Sequence, residues 1–101
     1  MTIDPFEAAL ALPEPPQEWD PVLQALWWDA RGDWDRAHHL AQADEVDRRY
    51  AWVHAYLHRE EGDLSNAAYW YRRAGQPVAN GSLAAERLAI ATALLSRDRP
   101  G

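Results

Sequence analysis

His54 and His58 stand four residues apart, with Asp47 before them and Glu61 after, in the stretch EVDRRYAWVHAYLHREEGDLSNAAYWYRRAG. On a helix this spacing puts both imidazoles on one face, a turn apart, with the two carboxylates on the same side. Paired imidazoles can hold zinc, and His54, His58 and Glu61 together could run acid–base chemistry in a small metal-dependent or acid–base enzyme. The set is short for a metal, because a stable zinc site takes a third and usually a fourth ligand. The Glu of an H-E-x-x-H protease is also missing, since Ala55 follows His54. The competing expectation is that the pair hydrogen-bonds neighbours such as Asn66 or Tyr69, or meets water. His38 and His39 offer less, because adjacent helical residues point about 100° apart. These residues imply no cofactor.

A second stripe runs beside the first. Arg49, Trp52, Tyr56 and Arg59 fall on one helical face, rotated away from the apolar face of Val46, Tyr50, Val53 and Leu57. Arg forks onto carboxylates while Trp and Tyr bury apolar groups, a composition suited to a short acidic or C-terminal peptide. The alternative is that the aromatics pack on neighbouring helices and the arginines stay solvated. Tyr69-Trp70-Tyr71-Arg72-Arg73 interleaves aromatics with Arg, as a base-stacking surface does. The acidic balance of the chain argues against nucleic acid, and the two arginines in a last helical turn already complement the helix dipole. No nucleophile–base frame and no glycine-rich phosphate loop occurs, so the expectation is a non-catalytic chain.

The bulk numbers narrow the field. In 101 residues there is room for one core and no separate substrate domain. The formal charge is −6 and every one of the 10 basic residues is Arg. With no Cys, disulfide frameworks and thiolate metal sites drop out, and a cytoplasmic location is the default. The N-terminus lacks a basic region and its apolar run is broken by Glu7, so it does not read as a signal peptide, and no stretch is apolar enough to span a membrane.

The elements that must position these side chains read as helices. Asp4-Pro5 with Glu7 starts a short helix over 5 to 11, and Pro13, Pro15 and Pro16 impose an extended connector. Asp20-Pro21 opens the next helix, with Leu23, Leu26, Trp27 and Ala30 on its apolar face and Gly32 as its stop. Asp33 caps a helix over 34 to 43. Gly62 and Asp63 repeat that stop and cap, and Leu64, Ala67, Ala68, Tyr71 and Ala74 form the buried stripe of the following helix. The segment Gly32-Asp33-Trp34 to Ala37 matches Gly62-Asp63-Leu64 to Ala67 at an offset of 30 residues. Ser82 caps a last helix to about Ser96, whose stripes are Leu83, Ile90, Leu94 and Leu88, Ala91, Leu95.

These residues resemble the tetratricopeptide repeat family, on Gly62-Asp63-Leu64, Ala67, Tyr71, Ala74 and the following Pro77, and on Gly32-Asp33-Trp34 with Ala37. The spacing of 30 residues departs from the family's roughly 34, and His54 and His58 stand where the family usually has apolar or aromatic residues. The string WVHAYLHREEGDLSNAAYWYRRAG also resembles small uncharacterised bacterial proteins with no assigned activity.

The resemblance implies an all-α domain of two antiparallel helical hairpins plus a C-terminal capping helix over 19–96. Residues 1–18 precede it as a short helix and Pro-rich connector, and residues 97–101 follow as a frayed tail. It further implies a concave groove lined by Trp19, Val22, Leu26, Asp29, Arg49, Trp52, Tyr56 and Arg59. Such a groove would capture a protein or peptide partner. A homodimer formed through surplus tryptophans, Trp27, Trp28 and Trp70 among them, is the rival within that class.

Overall fold

The computed structural model describes residues 5–97, with side chains to residue 95. All the regular structure among them is helical: α1 (Pro5–Ala9), α2 (Pro21–Ala30), α3 (Trp34–Ala41), α4 (Arg48–Glu61), α5 (Leu64–Ala74) and α6 (Leu83–Arg97). The Asp4 cap and most of the expected tail lie outside the described residues. No helix among those described is long and apolar enough to cross a membrane.

Two short turns decide how the helices pair. Gly32 and Gly62 take φ of 87° and 90°, a left-handed conformation that costs any residue with a Cβ. At each turn the amide after the glycine reaches back to a carbonyl near the helix end, Asp33 to Trp28 and Asp63 to His58, both at 2.9 Å. The same aspartates then cap the next helix: Asp33 accepts from the Arg36 amide and Asp63 from the Asn66 amide. The chain therefore folds α2 onto α3 and α4 onto α5 by the same chemistry. Ala25, Ala37, Ala55 and Ala67 are all buried, small residues that let these helices approach closely.

Helix α4 is central and packs against α2, α3, α5 and α6. The main core joins Phe6 of α1, Val22, Leu23, Leu26 and Trp27 of α2, Val53, Tyr56 and Leu57 of α4, and Ile90, Ala91 and Leu94 of α6. Burying each large apolar side chain contributes about 1.5–3 kcal/mol, which for α6 applies to Ile90 and Leu94.

Several expected positions shift. Val46 is 87% exposed because α4 starts later, behind the cap Asp47, whose side chain accepts from the Arg49 amide. Leu64 is 67% exposed, since it occupies the first turn of α5 and points away from the stripe of Ala67, Tyr71 and Ala74. Leu83 and Leu88 are also exposed, so α6 buries one narrow stripe and not two. Asp20 makes no side-chain cap on α2. Its carboxylate instead accepts from Arg49 at 2.9 Å.

Candidate functional site

Helix α3 packs against α4, and this brings His38 against His54 and His58. The nitrogens these three rings offer all lie within 4.8 Å of one another. His38 Nε2 and His54 Nε2 are 3.1 Å apart, close enough for one to carry a proton that the other accepts. His54 and His58 stack along α4 at 4.7 Å between centroids, as residues one turn apart do. Tryptophans brace the group from both sides. Trp34 stacks on His38 at 4.7 Å and Trp70 on His54 at 4.0 Å, and the Trp34 indole is itself fixed by donating to the Leu57 carbonyl at 2.9 Å.

Partners on the outer side orient two of the rings. His58 Nδ1 lies 2.6 Å from Glu61 Oε1, and His38 Nδ1 lies 2.8 Å from the Gln42 amide nitrogen. Each interaction spans one helical turn. Burial, reinforced by the neighbouring His58 and His38, lowers the pKa of His54 to about 4. His38 is lowered as well, first by burial and then by His58. Both rings are therefore neutral at pH 7, and each keeps one nitrogen without a proton.

Three imidazole nitrogens in this space suit zinc, copper or nickel, for which nitrogen is a preferred donor. Zinc prefers a tetrahedron with Zn–N distances of about 2.0–2.1 Å, which places ligand nitrogens roughly 3.3 Å apart, within reach of small ring rotations here. Glu61 supplies the carboxylate that commonly holds a ligating His from behind. A second group, His58, Glu61 and Asp63, also brings its oxygens and nitrogen together, but Glu61 is engaged with His58 and Asp63 with the α5 cap.

The sequence singled out His54, His58 and Glu61, and the structure brings them together with Glu61 as an outer partner. His38 and His39 point apart, as adjacent helical residues do, so they form no pair; His38 turns inward to His54 while His39 is exposed. The signal that could have found His38 is the repeat. With the Gly-Asp turns fixing the pairing, a His on α3 one turn after Trp34 faces α4. The expected bonds from these histidines to Asn66 or Tyr69 are not made.

The expected groove residues lie elsewhere. Leu26 and Tyr56 are wholly buried and Asp29 nearly so, because α6 packs over this face of α4 and fills what would be the groove. Val22 is also core. Trp19 is half-buried and stacks on Phe6. Arg49 forks onto Asp20 and Asp47, at 2.9 Å to each. Arg59 binds the buried Glu86 of α6 at 2.8 Å and donates to the Gly81 carbonyl. Glu86 also accepts from the Tyr71 hydroxyl, so one carboxylate ties α4, α5 and α6 together. Trp52 borders open space, a cleft of about 530 Å³ shared with Pro77, Val78, Ala85, Glu86 and Ala89, and with Arg49 it lines a smaller cleft beside Gly75.

Of the three tryptophans that could serve either the monomer or a second copy, Trp27 is buried and Trp28 and Trp70 are partly exposed. Trp27 donates to the Ala9 carbonyl at 2.8 Å, Trp28 lies under Arg36, and Trp70 lies on His54. Compared with protein-family models, curated proteins and solved structures, the chain matches none.

Proposed function

We propose that this protein binds a divalent first-row transition metal ion, zinc first among them, through His38, His54 and His58. The observation that carries the reading is the convergence of three ring nitrogens within 4.8 Å from two helices. Two of the rings are kept neutral, and two are held from their outer nitrogens. Three protein ligands leave one tetrahedral position for water or a substrate atom, the arrangement of sites that work on what they bind. The ion would also pin α3 to α4 and so join the two helix pairs. We infer that these pairs, α2–α3 and α4–α5, are tetratricopeptide-like with α6 as their cover. The support is the repeated Gly-Asp turn and the buried alanines at matching positions.

The test is calorimetric titration of the metal-free protein with zinc, beside His54→Ala and His38→Ala. One ion per chain is expected, lost in either variant while the helical circular dichroism signal persists. Binding that survives both substitutions sinks the reading. A second reading, capture of a partner segment, is favoured by one feature, the cleft beside Trp52. Its check is whether Trp52→Ala abolishes a pulldown that His54→Ala leaves intact.

A further inference from the structure

The two outer partners of the histidine cluster differ in kind. Glu61 is a carboxylate and, when ionised, can only accept, so its 2.6 Å contact keeps the proton of His58 on Nδ1 and leaves Nε2 as a lone pair. Gln42 is an amide, with a donor at one end and an acceptor at the other. In the structure its nitrogen faces His38 Nδ1 at 2.8 Å. A donor there makes Nδ1 the acceptor and puts the ring proton on Nε2. That proton then points at His54 Nε2, 3.1 Å away, and occupies the space where an ion would sit. Turning the amide end for end reverses the polarity. The Gln42 carbonyl then accepts from Nδ1–H, and Nε2 of His38 is left as a lone pair within the group of three imidazoles.

We propose that Gln42 is a positioning residue that switches His38 between a proton-sharing and a metal-ligating tautomer, the inference resting on the metal reading above. Gln42 is exposed, so its amide turns without disturbing the core. It sits one turn after His38 and just past the end of α3, as the cap residue. His58 has no such freedom, because Glu61 offers no donor. The cluster is thus built with one fixed ligand and one gated ligand. Metal uptake then includes the amide turn and the transfer of the His38 ring proton from Nε2 to Nδ1, with no net proton released by that ring.

The experiment compares wild type with Gln42→Glu and Gln42→Met at pH 8 and 0.5 M salt, which screens the plain attraction of an added carboxylate for a cation. Nitrogen-15 shifts of the imidazoles in the metal-free protein read the tautomer directly. Wild-type His38 is expected as the Nε2–H form and Gln42→Glu as the Nδ1–H form. Zinc affinity is expected to rise on the order of tenfold in Gln42→Glu and to fall by about 10-fold in Gln42→Met, which lacks an outer partner. An unchanged His38 tautomer in Gln42→Glu, or equal zinc affinity in all three proteins, overturns the proposal. If zinc fails to bind wild type at all, the metal reading falls, while the tautomer measurement still decides whether Gln42 sets the His38 proton.

Discussion

The two faces of α4 carry equally suggestive residues and use them in opposite ways. On the face toward α2 and α6, Arg49, Arg59 and Tyr56 have the makings of a binding groove. Each is taken up instead by the fold, Arg49 by Asp20 and Asp47, Arg59 by Glu86, and Tyr56 by burial beside Asp29. On the face toward α3 and α5, His54 and His58 meet a third histidine, and their outer contacts leave the inner nitrogens facing one another. The difference is one of matching. A guanidinium beside a carboxylate is satisfied and has little left to offer a ligand. Three imidazoles are not satisfied by each other, because one proton can be shared by only two of them.

The sharpest way to break this comparison is Arg59→Ala. It leaves Glu86, with a side chain only 7% exposed, without its cation, and an uncompensated buried charge costs about 3–5 kcal/mol. Urea unfolding should show that loss. A cost below about 1 kcal/mol would mean that Arg59 is spare and the groove reading deserves a second test. The next largest effect belongs to the other face. Zinc at a hundredfold excess over its dissociation constant should stabilise wild type by about 2.7 kcal/mol. The gain should vanish in His54→Ala, and a thermal scan with and without zinc decides it.

The pH dependence separates the faces by sign. Burial, then the neighbouring Asp29 carboxylate, pushes Glu60 up from 4.5 to about 8, with Arg87 opposing. Asp29 Oδ2, Tyr56 Oη and Glu60 Oε1 are buried without hydrogen-bond partners, and a proton on Glu60 gives the carboxylate pair the donor it lacks. A raised carboxylate contributes stability that is complete below its unfolded pKa and is lost as pH rises through the folded one. For Glu60 that window runs from 4.5 to about 8. His54, lowered from 6.5 to about 4, contributes stability that is complete above 6.5 and is lost as pH falls through about 4. Between 4.5 and 6.5 the two oppose each other, and above 6.5 Glu60 acts without His54. Wild-type stability in metal-free buffer should therefore decline from pH 6.5 to about 8, and Glu60→Gln should flatten that decline. An equally steep fall in the variant would assign the effect elsewhere.

The helices were legible in the sequence because their ends are written in local chemistry. Pro21, Gly32, Asp33, Gly62, Asp63 and Ser82 all act where the sequence places them. The candidate site was half legible. The spacing of His54 and His58 fixes their shared face, but the third histidine comes from another helix, and only the packing of α3 on α4 supplies it. The misplaced groove has a similar cause. Nothing local to α4 says that α6 will lie across Tyr56, since that depends on Ile90, Ala91 and Leu94 finding the core from the far end of the chain. Asp20 shows the same limit at a smaller scale, where a carboxylate in cap position was claimed by an arginine 29 residues away.

Arg49 gives the smallest effect and the cleanest comparison between the faces. Its side chain is 25% exposed, and its partners Asp20 and Asp47 are 45% and 27% exposed, so solvent screens both pairs. Such pairs contribute about 0.2–1 kcal/mol, and Arg49→Ala should cost no more than that in urea unfolding. The variant therefore keeps the stability that Arg59→Ala loses, and any loss of partner capture in Arg49→Ala reflects binding and not weakened folding. If Arg49→Ala captures partners as wild type does and binds zinc with unchanged affinity, its forked contact serves only to tie the start of α4 to the start of α2. That outcome would leave the histidine face as the part of α4 with ligand-binding capacity to spare.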